Sequence, residues 1–210
     1  MHKINVLLVE QDSEWKRHIE TRLQAEPDLC VIGSVHAYLD AIAMARMLDI
    51  DVILLEAIGG EQTAWTNAIF EIASLGKTQM IMVAAAAIEE WICEAFVYGV
   101  SNYLLKAHTE SLVEAIRAAY AHQSAIHYIA AGVVRQELAR LKRREWQRQL
   151  TESEQAILRL IDSGRTHAQI MNELSIAEST MKTHVNRILR KLKVPSSKEA
   201  ARQAKMKGIV

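Results

Sequence analysis

The chain has 210 residues, half of them apolar, and its 25 basic and 25 acidic side chains give a formal charge of zero. Two cysteines, Cys30 and Cys93, lie far apart in apolar segments and read as buried thiols of a reducing compartment, not as a disulfide or metal pair. No stretch approaches the ~18 consecutive apolar residues of a membrane span, and the run at the N-terminus is too short for a signal peptide, so a soluble, cytoplasmic protein is expected.

The zero charge hides a split. Residues 1–130 hold 17 acidic and 8 basic side chains, and residues 131–210 hold 8 and 17. An acidic half followed by a basic half implies two jobs, with nucleic acid the natural partner of the second.

In the first half short apolar runs alternate with amphipathic stretches. Ile4–Val9, Leu29–Val35, Val52–Leu55, Met80–Val83 and Asn102–Leu105 read as strands. Ser13–Ala25, Ala37–Leu48, Thr63–Ala73, Ile88–Tyr98 and Thr109–Ala121 read as helices, with Ile19, Leu23, Ile42 and Leu48 facing the core. Five βα repeats imply a parallel, doubly wound α/β sheet whose chemistry sits at the carboxyl ends of the strands. Those ends carry Glu10-Gln11-Asp12, Glu56, Ala84-Ala85 and Lys106. The Gly-Gly pair within Ala57–Gln62 could close over a ligand, although such pairs more often mark a plain turn.

This order of residues resembles the flavodoxin-like receiver domain of bacterial response regulators. In that family two acidic residues after the first strand hold magnesium, an Asp after the third takes a phosphoryl group, a Thr or Ser after the fourth contacts it, and a Lys after the fifth pairs with it. By position these fall on Glu10 and Gln11, Glu56, Ala84 and Lys106. Three depart from the pattern. Gln11 offers a neutral carbonyl where Mg²⁺ prefers a carboxylate. Ala84 has no hydroxyl. Glu56 is a methylene longer than Asp, which displaces its carboxylate from in-line geometry. The pocket is therefore expected to have lost phosphotransfer. Glu56 then either imitates a phosphorylated Asp or forms a structural ion pair with Lys106, and the missing hydroxyl favours the ion pair.

Next, Ala130–Gln149 places Val133, Val134, Leu138 and Leu141 at helical spacing ahead of Lys142-Arg143-Arg144. It reads as an amphipathic linker helix that packs on a domain or on a partner subunit. Four helices follow, at about Glu152–Ser163, His167–Leu174, Glu178–Lys193 and Ser197–Lys207. Thr151-x-x-Glu154, Thr166-x-x-Gln169 and Ser196-x-x-Glu199 are capping-box starts; Gly164, Pro195 and Gly208 are stops. In the third of these helices Met181, Val185, Ile188, Leu189 and Leu192 form a buried stripe. The other side carries Lys182, Thr183, Asn186, Arg190 and Lys193, with Arg187 and Lys191 beside it, and no acid lies between Ser179 and Lys193. Cations together with Asn and Thr suit base edges and phosphates.

The segment from Leu150 to Val210, above all STMKTHVNRILRKL, resembles the helix-turn-helix domain of LuxR/FixJ-type (NarL-like) regulators. The resemblance implies base contacts from Lys182, Thr183 and Asn186, phosphate contacts from Arg187, Arg190 and Lys191, and dimers through the last helix. Asn186 stands where the family often has a basic residue. Ala177 stands where it usually has Ser or Thr capping the recognition helix, a loss of about 1 kcal/mol unless Ser175 or a neighbour substitutes.

The expected organisation is a degenerate receiver at 1–124, a linker helix at 125–148 and an all-α four-helix DNA-binding domain at 149–210. The expected function is a dimeric, sequence-specific transcription factor on paired half-sites of double-stranded promoter DNA, acting independently of Asp phosphorylation. RNA polymerase is a further partner open to it, and a sensor kinase is doubtful. No cofactor, metal or membrane is expected. Two alternatives stand beside this: a conventional phosphorylated regulator, and an interaction module whose first domain binds a partner or small ligand. No catalytic constellation appears, so an enzyme is not expected.

Overall fold

The computed structural model describes residues 3–123 and 126–210. The expected border between first domain and linker, at residues 124–125, lies outside them. The chain runs β1 (Ile4–Val9), α1 (Ser13–Gln24), β2 (Leu29–Val35), α2 (Tyr38–Met47), β3 (Val52–Ala57), α3 (Gln62–Ser74), β4 (Gln79–Ala84), α4 (Glu89–Tyr98) and β5 (Asn102–Leu105). A 3-10 turn at Thr109–Ser111 leads into α5 (Leu112–Tyr120), and α6 (Tyr128–Arg148) follows. Then come α7 (Glu152–Asp162), α8 (His167–Leu174), α9 (Glu178–Leu192) and α10 (Ser197–Met206).

The five strands form one parallel sheet in the order β2-β1-β3-β4-β5. Because side chains alternate across a strand, the apolar runs feed both faces. Leu7, Val9, Ile53, Leu55 and Met82 join Trp65, Ile69 and Ile92 on one side. Val6, Leu8, Val52, Leu54 and Val83 join Ile19, Leu23 and Ile116 on the other. The chain reverses direction across the sheet at β1 and β3, and their carboxyl ends place Glu10 and Glu56 side by side. Helix α1 begins there, where Asp12 caps it by accepting from the backbone N–H groups of Glu14 and Trp15. Gly60 (φ +83°) turns the chain into α3 through a conformation that side chains resist.

One expected core position is corrected. Ile42 is half-buried against the core, but Leu48 is 41% exposed, because α2 ends at Met47 and the chain extends at Leu48 (ψ 156°). The buried side of α2 consists of Tyr38, Ala41 and Ala45.

The molecule divides into two compact units, Met1–Arg135 and Gln136–Val210, with the division inside α6. In the first unit Ala130 is fully buried, and Val133 and Val134 pack against the sheet core. In the second, Trp146 packs on a core that includes Leu150, Ile157, Ile170, Met181, Ile188 and Ala204. The apolar side expected along α6 is therefore covered only at its ends, and Leu138 and Leu141 are exposed.

The second unit shows why its helices begin and end where they do. Thr151 with Glu154 and Thr166 with Gln169 form complete capping boxes. Ser196 accepts from the Glu199 N–H, but the Glu199 carboxylate turns to Arg202 at 2.7 Å, so that box closes on one side only. Ser175 and Lys193 end α8 and α9 in left-handed conformations. Among the described residues no helix is long and apolar enough to cross a membrane.

Candidate functional site

Two places carry chemistry. The first is the pocket at the strand ends. Lys106, delivered by β5, is bonded to Glu56 Oε1 at 2.6 Å and to Glu10 Oε1 at 2.7 Å. Glu10 Oε1 also accepts the Asp12 N–H, and Glu56 Oε2 accepts the Gln11 N–H at 2.9 Å. The Glu10 side chain is 2% exposed and its Oε2 has no hydrogen-bond partner. Ala84 is buried, with its carbonyl accepting the Lys106 backbone N–H. The structure thus brings Glu10, Glu56, Ala84 and Lys106 together; the Gln11 side chain is exposed and only its backbone joins them.

Two carboxylates share one ammonium, and their protonation diverges. Burial pushes the Glu10 carboxyl up to about 7 against the pull of Lys106, and Glu56 beside it adds to the rise. Burial acts on Glu56 in the same direction, but the bonds from Lys106 and the Gln11 N–H outweigh it and hold its carboxyl below the usual range. Lys106 is held above its ordinary value, because the two carboxylates outweigh its own burial.

A divalent cation fits this donor set poorly. The Lys106 ammonium already occupies Oε1 of both carboxylates and balances the charge of one, the raised Glu10 carboxyl holds its proton more tightly, and Asp12 spends its carboxylate on the cap of α1. Among the described residues no group of three or more His, Cys, Asp or Glu side chains is arranged to hold a metal. A contributor the sequence did not flag is Trp15, whose ring lies 5.1 Å from the Lys106 ammonium and whose Nε1 donates to the Lys106 carbonyl at 3.4 Å. Its position two residues into α1 carries no signal for this, because the contact joins residues 91 apart.

The second place is α9. Met181, Ile188 and Leu192 are buried, while Lys182, Thr183, Asn186, Arg187 and Arg190 are exposed together with the capping Lys193. Thr183 Oγ1 donates to the Ser179 carbonyl, which fixes its rotamer. His184 is half-buried between the faces. Ala177 is the N-cap of α9 and no side chain caps this end; Ser175, the suggested substitute, is occupied as the left-handed cap of α8.

One residue of the expected phosphate-contacting set is placed otherwise. Lys191 donates to Glu154 Oε2 at 2.6 Å, and the Glu154 side chain is 1% exposed. Glu154 also accepts the Thr151 N–H at 2.8 Å, so one carboxylate starts α7 and pins α9 against it. A cation already paired with a buried carboxylate is a poor phosphate ligand. The capping role of Glu154 was legible in its spacing from Thr151; its pairing with Lys191, 37 residues away, was not.

Comparison with known proteins bears on both places. The luxR family of bacterial regulatory proteins (GerE) matches residues 148–204. The chain is 30% identical over 204 residues to the nitrate/nitrite response regulator protein NarL of Escherichia coli, covering 93% of this chain and 92% of that protein. It is 29% identical over 213 residues to the uncharacterized transcriptional regulatory protein YxjL of Bacillus subtilis, covering 99% and 98%. Among solved structures, the RcsB response regulator of Salmonella typhimurium, in work on its conformational dynamism for DNA interaction, shares the fold with a TM-score of 0.59 and 15% identity, covering 98% of this chain and all of that one.

Proposed function

The chain belongs to the luxR family of bacterial response regulators, and from that premise we propose that it is a dimeric transcription factor that reads duplex DNA without Asp phosphorylation. As a family member it is a DNA-binding transcriptional regulator and not an enzyme. Helix α9 is the reading helix. The observation that carries this is its solvent-facing side, where Lys182, Asn186, Arg187 and Arg190 stand exposed and no acidic residue interrupts them from Ser179 to Lys193. Lys182, Thr183 and Asn186 contact base edges, and Arg187 and Arg190 contact phosphates. Lys191 holds α9 in place through Glu154. One such helix reaches too few base pairs for strong discrimination, so two copies occupy paired half-sites.

Phosphorylation independence rests on the pocket. An acceptor carboxylate must present an oxygen in line with the phosphoryl group, and the longer Glu56 carboxylate is held by Lys106 on one oxygen and by the Gln11 N–H on the other. A buried ion pair of this kind holds β3 and β5 in one arrangement; with Ala84 in place of a hydroxyl, nothing at that position responds to a phosphoryl group. The test is to incubate the full chain with a small acyl phosphate, follow its intact mass, and measure duplex binding before and after. The proposal expects no phosphoryl adduct and unchanged affinity; a stable adduct that raises affinity would restore the conventional phosphorylated regulator.

A further inference from the structure

Helix α6 carries a cationic stripe that the reading helix does not account for. Gln136, Arg140, Arg143 and Gln147 step by four, three and four residues along one side of α6, with Arg144 beside them, and they line a single groove of about 500 Å³. The two acids in the middle of the helix are both spent: Glu137 pairs with Arg140 and Glu145 with Lys142. Among the described residues neither Arg143 nor Arg144 forms a salt bridge, Arg144 only adding to the field that lowers Glu137, and both are exposed.

This part of α6 is fixed to the unit that holds α9. Trp146 packs on that unit's core beneath Lys207, whose ammonium lies 5.4 Å from the ring. Gln147 donates to the Gly208 carbonyl and accepts from Gln155. Arg143 lies across Gly208, whose φ of +64° and lack of a side chain let it pass; a Cβ there would meet Arg143 Cδ at 3.3 Å. Arg143 is thereby held along its stem from Cγ to Nε while the residue as a whole remains exposed.

We propose that Arg143 and Arg144, on the outward side of α6, are a second contact with the DNA phosphate backbone. The inference rests on the reading of α9 given above and adds to it a site that carries no sequence information. Guanidinium forks match phosphate oxygens in pairs, which suits Arg in this role. The unit's excess of basic over acidic side chains supplies the attraction that brings it to the duplex.

The test uses the full chain and two duplexes: one selected from a random library by the wild-type protein, the other its shuffled sequence. Affinity is measured across salt concentration for wild type, Arg143→Gln with Arg144→Gln, and Lys142→Gln as a control on the opposite side. Each lost phosphate contact reduces the salt slope by about 0.9, so the double variant should show a slope smaller by about 2 and an equal loss on both duplexes, at least about tenfold at low salt. Lys142→Gln should leave the slope unchanged. An unchanged slope in the double variant overturns the proposal, and so does a loss confined to the selected duplex, which would mark a base contact. Unchanged slope with arginine-dependent binding to anionic phospholipid vesicles would reassign the stripe to a lipid surface. If the wild-type chain binds neither duplex, the reading of α9 fails first and takes this one with it.

Discussion

Replacing Glu10 by Gln tests the electrostatics of the pocket through a sign that is easy to get wrong. Glu10 is raised in the folded protein from an ordinary 4.5 to about 7. A raised acid binds its proton more tightly in the folded state, so its contribution to stability is complete below about 4.5 and is lost as pH rises toward 7. At 1.36 kcal/mol per pKa unit, the loss approaches about 3 kcal/mol, most of it between pH 5 and pH 8. Glu56 works in the opposite sense: its lowered carboxyl stabilises above its unfolded value and stops doing so only in more acidic solution. His127, lowered by burial and by His108, loses stability as pH falls through the same window, but it does so equally in both proteins and cancels in their difference. Gln resembles the protonated Glu and retains an oxygen for Lys106 and the Asp12 N–H. Glu10→Gln should therefore match wild type near pH 5 and exceed it by roughly 2–3 kcal/mol at pH 8. The assay is urea unfolding of the full chain at each pH in a Trp146→Phe background, followed by the fluorescence of Trp15, Trp65 and Trp91, which report on the first unit. Parallel stability curves for the two proteins from pH 5 to pH 8, or a variant that is the weaker at pH 8, would refute the reasoning.

Three further outcomes are expected. Ala177→Ser supplies the missing cap of α9 and should raise the stability of the second unit by about 1 kcal/mol, read as slower amide exchange in α9. Glu154→Ala removes a cap bond and a charge-assisted bond from a fully buried carboxylate, so α7 and α9 should lose about 2–4 kcal/mol; Lys191, itself part-exposed, is then free to turn outward, and the salt slope of DNA binding should rise in magnitude. Combining Gln11→Asp, Glu56→Asp and Ala84→Thr restores the family's residues in the pocket, and the combined variant should take a phosphoryl group from a small acyl phosphate that leaves wild type unlabelled.

What could be read from residues alone depended on how local the determining interaction is. The helix starts at Glu152, His167 and Ser197 were legible because each cap is made within three residues, and the strands because runs such as Val6–Val9 have no alternative to burial on both faces. Leu48 misled because apolar spacing does not reveal where a helix stops; the core side of α2 is carried by small residues, Ala41 and Ala45, which give a weak periodic signal. The Ser196 box was half right because Glu199 has a competitor, Arg202, one turn along its own helix. In the pocket the identities of Glu10, Glu56, Ala84 and Lys106 were readable from their order at the strand ends, but the uneven sharing of one ammonium between two carboxylates was not. That depends on how deeply each is buried. Lys191 looked like its neighbours Arg187 and Arg190, and only the fold, which brings Glu154 against it, tells them apart.

The central claim is that the exposed cationic side of α9 reads bases while the protein carries no phosphoryl group. Its most direct test is the ratio of affinities of the unphosphorylated full chain for the selected and shuffled duplexes, with and without Lys182→Ala. The account predicts that wild type discriminates between them and that Lys182→Ala, while still binding DNA, loses about 1–3 kcal/mol of that discrimination. The same discrimination in both proteins, or a wild type that ignores the selected duplex until a phosphodonor is added, would contradict it.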